Sequence, residues 1–252
     1  MSESILKVLS LPATLANGPG ILSPVLVYDE GQAVLIDAGL TGMAQAIAEA
    51  MAEAGAPLAR LTHIAITHTD MDHIGSVAAL RKLATFELVC HEAERKYLQG
   101  EEPPIRMAQM EASLPTMPEG QRAVMEPLFK SLRDNYKRLS ATVDCVLKGC
   151  ESLPCGLVAV HTPGHTPGHL CYYHRPSGTL IAGDMFNVEG GELVPAPAFT
   201  MIQPEAYGQS LRKLLAYDIA AVACYHGGLY TGDANVAIRE LAGDVLAAAA
   251  LH

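Results

Sequence analysis

The chain has 252 residues, half of them hydrophobic, which is enough to bury a large core in one domain. Its formal charge is −10, with 17 Lys and Arg against 27 Asp and Glu, so binding to nucleic acid or to an anionic membrane is disfavoured. The sequence lacks a secretory signal pattern and any apolar run near the roughly 18 residues of a membrane span, so we expect a cytoplasmic protein.

The first part of the chain alternates short strands with helices. Strands are predicted over Ile5 to Leu11, Val25 to Tyr28, Ala33 to Ile36, His63 to Thr67 and Glu87 to Cys90. Helices are predicted over Met43 to Ala54, His73 to Leu83 and Glu92 to Leu98. Clusters of Gly, Pro, Asn and Asp separate these elements, as is typical of turns.

Residues 101–140 interrupt this alternation. They contain five prolines and four methionines, and they are helical by propensity from about Glu119 onwards. Strands return at Val143 to Leu147, Leu157 to His161, His169 to His174, Thr179 to Ala182 and Ala220 to Cys224, with helices at Glu205 to Ala216 and Asn235 to Ala250. Two strand-rich halves that each end in helices predict an α/β fold, a four-layer αββα sandwich. We therefore expect a single domain over residues 1–252 with a helical insert.

The most informative segment directly follows a predicted buried strand. His68, Asp70, Asp72 and His73 lie within six positions of one another. Imidazole nitrogens and carboxylate oxygens are the usual protein ligands of zinc, and they also suit iron and manganese. Gathering these groups in one turn is costly unless a cation neutralises them, so the segment predicts a metal site.

Three later residues have the same chemistry and the same placement at the end of a strand. His165 lies in a Pro- and Gly-punctuated loop between two strands, while Asp184 and His226 each follow a strand. Loops on a rigid scaffold are where sheet proteins build their sites, so these residues are further candidate ligands. His161 and His169, in or beside the same loop as His165, are interpreted as ordinary hydrogen-bonded residues.

The ordered set resembles the metallo-β-lactamase superfamily, whose signature is His-x-His-x-Asp-His followed by a later His, an Asp and a final His. The resemblance extends from Asp37 to His226 and implies the αββα fold. It implies two ligand sets and a bridge: His68, Asp70 and His165; Asp72, His73 and His226; and Asp184 between them. Asp70 departs from the signature, which has a histidine at this position.

The resemblance also implies a mechanism. Two divalent metal ions, with zinc expected first, would share a bridging hydroxide that attacks the substrate carbonyl. Iron or manganese is the alternative, because Asp70 makes the site harder and more anionic. Asp72 would be the catalytic residue that takes up or passes on a proton, and Asp37 would support the ligands from behind.

The sequence differs from individual subfamilies at single positions, and these differences reduce the range of expected substrates. Common class B β-lactamases have a cysteine where Asp184 stands, which argues against antibiotic hydrolysis. Acyl-homoserine lactonases resemble this chain in length and in the bridging Asp, although several have a tyrosine where Asn187 stands; Tyr207 or Tyr230 is a possible substitute. We expect a metal-dependent hydrolase that cleaves a carboxylic ester in a small molecule, with a lactone favoured over a thioester.

Two further questions remain open from the sequence. The methionines of the insert, Met107, Met110, Met117 and Met125, either line an apolar substrate pocket or pack the insert against the sandwich or a second subunit, giving a homodimer. The alternatives to a hydrolase are a di-iron or mononuclear-iron oxidoreductase and a catalytically silent binding protein in which Asp70 has emptied the first metal site.

Overall fold

A computed structural model describes residues 4–15 and 18–249, with side chains described up to Gly243. Ala250, the expected end of the last helix, lies outside the described residues. Within them, the strands form two large sheets and two separate hairpins.

The first sheet has six strands in the order β1-β4-β5-β6-β7-β8. They are β1 Ile5–Val8, β4 Val25–Tyr28, β5 Ala33–Ile36, β6 Leu61–Ala65, β7 Glu87–His91 and β8 Cys145–Leu147. The pairs from β1 to β5 are antiparallel, and those from β5 to β8 are parallel. The ends of β5 and β6 therefore lie at one edge, where the chain enters the segment with His68.

The second sheet has five strands in the order β15-β14-β11-β10-β9. They are β9 Leu157–His161, β10 Leu170–His174, β11 Thr179–Gly183, β14 Ala221–Cys224 and β15 Gly228–Tyr230. Only the β11–β14 pair is parallel, so the loops after these two strands leave the sheet at the same edge.

Two hairpins and eight helices complete the described chain. The hairpins pair β2 Leu11–Leu15 with β3 Gly18–Leu22, and β12 Phe186–Glu189 with β13 Glu192–Pro195. The helices are α1 Ala44–Glu53, α2 Met71–Ile74, α3 Val77–Leu80, α4 Arg95–Leu98, α5 Ile105–Ser113, α6 Glu119–Asn135, α7 Pro204–Leu214 and α8 Ala234–Ala249. None of these helices is long and apolar enough to cross a membrane.

Three hydrophobic clusters show the layers of the molecule. One cluster joins the first sheet to α1 and α3, through buried residues such as Ile47, Ile64 and Leu80. A second joins the other sheet to α7 and α8, and a third, including Tyr172, lies between the two sheets. This order of helix, sheet, sheet and helix is the predicted αββα sandwich, and the prediction is confirmed.

Hydrogen bonds join the two sheets directly behind the candidate ligands. The amide of Leu170 donates to the carbonyl of Thr67 at 2.9 Å, and the buried Tyr172 hydroxyl donates to the carbonyl of Ile66 at 2.9 Å. On the other side, the amide of Ser23 donates to the carbonyl of Tyr225 at 3.0 Å. The segments that carry the ligands are therefore held against each other by bonds that involve none of the ligand side chains.

The predicted helix over His73 to Leu83 is wrong in one respect, because the structure breaks it into α2 and α3. Gly75 fits against the backbone of Thr41, where a Cβ would clash with the amide nitrogen. The Ser76 hydroxyl donates to the carbonyl of Leu40 at 2.6 Å and accepts the amide of Met43 at 3.0 Å. These contacts with the loop after β5 end α2 immediately after the last ligand of the segment.

The insert contains two helices. The first lies before Glu119, where the sequence predicts the helical part of the insert to begin. Residues 105–113 form α5, and α6 then begins at Glu119 as expected. Met107 and Met110 line a small enclosed gap between the helices together with Phe129 and Leu132. Two of the four methionines therefore contribute to the packing of the insert itself.

Candidate metal centre

All seven predicted ligands lie close together in the structure. His68, Asp70, Asp72 and His73 follow β6, and His165 lies between β9 and β10. Asp184 follows β11, and His226 follows β14. Three groups of these side chains have ligand atoms within 4.8 Å of one another. The site is thus built from the strand ends of both sheets.

The first group consists of His68, Asp70 and His165. The Oδ2 atom of Asp70 lies 3.2 Å from Nε2 of His165 and 3.5 Å from Nε2 of His68. The two imidazoles are nearly perpendicular, with ring centroids 4.6 Å apart. These atoms are close enough together for one cation to contact all three.

The second group consists of Asp72, His73 and His226. The Oδ2 atom of Asp72 lies 3.4 Å from Nε2 of His226 and 3.9 Å from Nε2 of His73. Tyr225 packs its ring against His73, with centroids 3.9 Å apart, and its hydroxyl donates to the backbone carbonyl of Asp72 at 2.5 Å. The group is held in place by a residue that is not itself a ligand.

Asp184 lies between the two groups, with one carboxylate oxygen facing each. Its Oδ2 atom is 3.6 Å from Nε2 of His165 and 3.9 Å from Nε2 of His68. Its Oδ1 atom is 3.3 Å from Nε2 of His73 and 3.6 Å from Nε2 of His226. This is the arrangement expected of a carboxylate that bridges two cations.

Several ligand atoms are buried without a hydrogen-bond partner among the described residues. They are Nε2 of His68, Nε2 of His73, Oδ1 of Asp70 and Oδ1 of Asp184. Leaving a buried polar atom unsatisfied costs about 1–3 kcal/mol. Divalent cations would explain why so many unpartnered ligand atoms lie in one place, because imidazole nitrogen and carboxylate oxygen both bind such ions. The residues present therefore fit a metal centre.

Attraction between the carboxylates and the imidazoles of the site shifts the pKa values of both. Burial lowers the pKa of His226, but the Asp184 and Asp72 carboxylates outweigh burial and raise it to about 10. The pKa of His73 is likewise raised well above its usual value, because Asp184, Asp37 and Asp72 outweigh burial. The same imidazoles hold the pKa of Asp184 well below its usual range, although burial opposes this. Metal binding at these nitrogens would displace protons.

Asp37 supports the site from behind, in the place that the resemblance implies. Its Oδ2 atom accepts from Nδ1 of His73 at 2.8 Å, which turns the Nε2 atom of His73 towards Asp184. Its carboxylate also accepts the amide and the hydroxyl of Thr67, each at 2.8 Å. Such an outer carboxylate fixes the tautomer and orientation of a ligating histidine.

Glu94 is a supporting residue that sequence reasoning missed. It is fully buried, and it accepts the hydroxyl of Thr69 at 2.5 Å and the amide of Gly168 at 3.0 Å. It thereby ties the segment that follows β6 to the loop that carries His165. The only signal in the sequence is a glutamate in an otherwise ordinary short helix, which does not distinguish it from a solvated charge.

His169, interpreted above as an ordinary hydrogen-bonded residue, contacts the backbone of Asp184. Its Nε2 atom accepts the backbone amide of Asp184 at 3.3 Å, and its Nδ1 atom lies 2.9 Å from the Thr162 hydroxyl. Gly183 adopts a positive φ of 51°, and a Cβ there would approach the His169 ring to 2.9 Å. The repeated Thr-Pro-Gly-His tetrapeptide that ends at His165 and again at His169 was an available signal.

Arg106 reaches the site from the insert, which the sequence does not predict. Its Nε atom donates to Oδ2 of Asp70 at 3.0 Å, and its Nη2 atom lies 3.0 Å from Nε2 of His165. Helix α5 therefore lies over the first ligand group and places a permanent positive charge against it.

Comparison with known proteins agrees with this geometry. The model of the metallo-β-lactamase superfamily matches residues 17–226. An uncharacterized protein of Bacillus subtilis (strain 168), YobT, is 32% identical over 213 residues, which cover 80% of this chain and 81% of YobT. The probable metallo-hydrolase YflN of the same bacterium is 27% identical over 212 residues, covering 79% of this chain and 76% of YflN.

A solved structure supports the architecture. The crystal structure of a metallo-β-lactamase family protein from Thermus thermophilus aligns with a TM-score of 0.70 at 20% identity, over 96% of this chain and 79% of that one. At this identity, the likeness shows the fold alone. The family model, in contrast, extends over most of the chain and includes all seven candidate ligands. The chain belongs to the metallo-β-lactamase superfamily.

Proposed function

We propose that the chain is a metal-dependent hydrolase that cleaves a carboxylic ester, with a lactone as the leading substrate and a thioester as the second. The observation that carries the proposal is the placement of Asp184, whose two oxygens face two different ligand groups. Membership of the superfamily and similarity to a probable metallo-hydrolase support it.

The proposed ligands of one metal ion are His68, Asp70 and His165, and those of the other are Asp72, His73 and His226. Asp184 contributes one oxygen to each. Zinc is the proposed metal, because imidazole provides four of the ligands. Two divalent ions bound there would polarise the substrate carbonyl and lower the pKa of an attacking water towards about 7.

Asp72 is the proposed proton carrier. Its side chain is 25% exposed, against 14% for Asp70 and 13% for Asp184, so it is the acidic ligand most accessible to a substrate. Burial raises its pKa, but His73 and His226 outweigh burial and keep Asp72 ionised near neutral pH. It can therefore accept a proton and return it to the leaving oxygen of the ester.

One candidate for the missing lactonase tyrosine is excluded by its contacts. Tyr207 is 3% exposed, and its hydroxyl donates to the carbonyl of Met185 at 2.7 Å. It belongs to the core between α7 and the second sheet, where its hydroxyl is not available to a substrate. Tyr230 is half-buried and remains the proposed substitute.

An oxidoreductase is the second candidate, and Asp70 is the observation that favours it. With Asp70, three carboxylates and four imidazoles surround the two positions, a harder ligand set that suits iron or manganese better than the usual signature does. Metal analysis of protein purified without added metal separates the candidates. Two zinc ions per chain support the hydrolase, whereas iron with visible absorbance supports redox chemistry.

The decisive variant is Asp184→Ala, with the exposed Asp134→Ala as its matched control. We expect Asp184→Ala to lose most of the bound metal and at least about 100-fold of the hydrolysis rate, because both metal positions lose a ligand. Asp134→Ala should retain both. The assay is a panel of lactones, thioesters, phosphodiesters and β-lactams. Undiminished turnover of a substrate by Asp184→Ala would show that the proposed mechanism is wrong.

A further inference from the structure

Arg106 contacts two of the residues that a first metal ion would use, Asp70 and His165. Its Nε atom donates to Oδ2 of Asp70, and its Nη2 atom lies 3.0 Å from Nε2 of His165. Both contacts are largely shielded from solvent, because the side chains of Arg106 and His165 are only 11% and 3% exposed. The guanidinium is therefore an internal cation in the first ligand group.

A guanidinium and a metal ion cannot share Nε2 of His165, which has a single lone pair. Arginine has only donors, so Arg106 must donate into the Nε2 lone pair of His165, which is the lone pair that a metal ion would take. Zinc binds imidazole nitrogen and carboxylate oxygen at about 2.0–2.2 Å. The Nη2 atom of Arg106, 3.0 Å from Nε2 of His165, would overlap an ion bound to that nitrogen, and the guanidinium charge would repel it.

The contact is confined to the first group. Among the hydrogen bonds and ion pairs of the described residues, Arg106 contacts Asp70 and His165 but neither Asp72 nor His226. The two metal positions are therefore unequal before any metal binds. Among the described residues, no arginine contacts the second position, whereas the first faces a permanent charge that is attached to α5.

We propose that Arg106 and the first metal ion are alternative occupants of Asp70 and His165, so that loading the first position expels Arg106 and releases α5. The second position then loads first and more tightly. The inference rests on the proposed metal ligands, but it does not depend on the reaction or on the substrate.

The contacts of Gln109 connect this exchange to the insert. Nη1 of Arg106 donates to the side-chain oxygen of Gln109, whose Nε2 atom donates to the backbone carbonyl of Phe199 at 3.2 Å. Arg106 and Gln109 therefore fasten α5 both to the ligands and to the turn at Phe199. Expelling Arg106 removes the first attachment and the bond that orients Gln109 for the second.

Zinc titration against a chromophoric chelator tests the exchange. The variant is Arg106→Gln, and the control is Arg133→Gln, which removes another arginine of the insert that pairs with Glu111 on the surface. We expect the wild type and the control to bind one zinc tightly and a second at least about 10-fold more weakly. Arg106→Gln should strengthen only the weaker site, by about 10-fold or more.

Other results contradict the proposal in distinguishable ways. Equal affinities for the two zinc ions in wild type, or a second affinity that Arg106→Gln leaves unchanged or weakens, would overturn the exchange and leave the hydrolase intact. Failure of every variant to bind zinc would overturn both proposals.

Hydrogen exchange of the α5 amides tests the release of the helix. In wild type, saturating zinc should accelerate exchange over residues 105–113 relative to the metal-free protein. In Arg106→Gln, exchange should be fast with or without zinc. Exchange in wild type that slows or stays constant on loading the second equivalent would show that α5 is not coupled to the first position.

Discussion

Asp70 departs from the superfamily signature, and the structure shows what it contacts. Its carboxylate is paired with Arg106 at 3.0 Å and with the imidazole of His165 at 3.2 Å. A histidine at this position would face the guanidinium without the attraction that a carboxylate provides. The residue at position 70 and the arginine of the insert are therefore coupled.

This coupling predicts a non-additive result for Asp70→His. In the wild-type background, we expect little gain in affinity at the first metal position, because the new imidazole meets Arg106. Combined with Arg106→Gln, the same substitution should strengthen that position, because the usual ligand is restored and the competing charge is gone. A double-mutant cycle of zinc affinities measures the coupling, and simple additivity of the two changes would argue against it.

Asp37 gives a second prediction, because its carboxylate orients His73 without belonging to a metal position. Asp37 has a φ of 64°, which asparagine tolerates better than most residues, so Asp37→Asn changes the charge with little added backbone strain. We expect a loss of about 10–100-fold in metal affinity, measured by chelator competition. The melting temperature of the metal-free variant serves as the control, and unchanged affinity would exclude the supporting role.

The candidate ligands could be predicted from the sequence, but several residues that support them could not. His68, Asp184 and His226 stand directly after apolar strands, where metal-ligand chemistry is conspicuous. Glu94 lies in the turn directly before α4 and Arg106 lies in α5, and the local sequence of each helix resembles that of any solvated helix. Their roles arise only from the tertiary approach of their helices to the ligand loops, which no local pattern encodes.

At the level of elements, hydrophobic periodicity and the turn residues between segments predict most strands and helices. The errors have physical causes. Residues 18–22 contain Gly-Pro-Gly, which indicates a turn, yet they form β3 and pair with β2. Proline, which has no backbone N–H, is tolerated there because each strand of a two-stranded hairpin has a free edge where no ladder hydrogen bond is needed. The break between α2 and α3 comes from contacts with the loop after β5, which local helical propensity does not register.

A pair of histidines at the ends of β7 and β9 predicts how stability depends on pH. The rings of His91 and His161 are stacked, with centroids 4.0 Å apart and an interplanar angle of 14°. Burial, followed by the neighbouring His161, lowers the pKa of His91 to about 4. The unfolded chain takes up this proton near pH 6.5 and the folded chain only near pH 4. Folding stability should therefore fall as the pH is lowered through this window.

The variant His91→Asn isolates this contribution, because asparagine can still accept the amide of Ala93 that His91 accepts at 3.1 Å. We expect the urea midpoint of metal-free wild type to fall more between pH 6.5 and pH 4 than that of His91→Asn. Equal losses in the two proteins would show that His91 does not titrate as described.

On the scale of the whole molecule, the proposed ligands belong to both sheets, so a bound metal ion would join the two halves of the sandwich. The segment from His68 to His73 follows a strand of the first sheet, and Asp184 and His226 follow strands of the second. A ligand that binds only the folded state stabilises it by about 2.7 kcal/mol at about 100 times its dissociation constant.

Zinc should therefore raise the melting temperature of wild type, and a chelator should lower it again. The Asp184→Ala variant should show a much smaller shift, because it lacks the residue shared by both positions. Calorimetry over a range of zinc concentrations measures the effect. An equal shift in wild type and variant would place the stabilising metal elsewhere on the molecule.

The bonds that join the sheets behind the ligands have a consequence for metal selectivity. Because Leu170 is bonded to Thr67 and Tyr172 to Ile66, the distance across the ligand cluster is set by the sandwich and not by the ion that enters it. Ions that differ in radius or preferred coordination would have to fit the same distance across the ligand cluster. We therefore expect rigidity, as well as ligand type, to discriminate among metals, and relaxing the contact between the sheets should broaden the range of ions that the protein accepts.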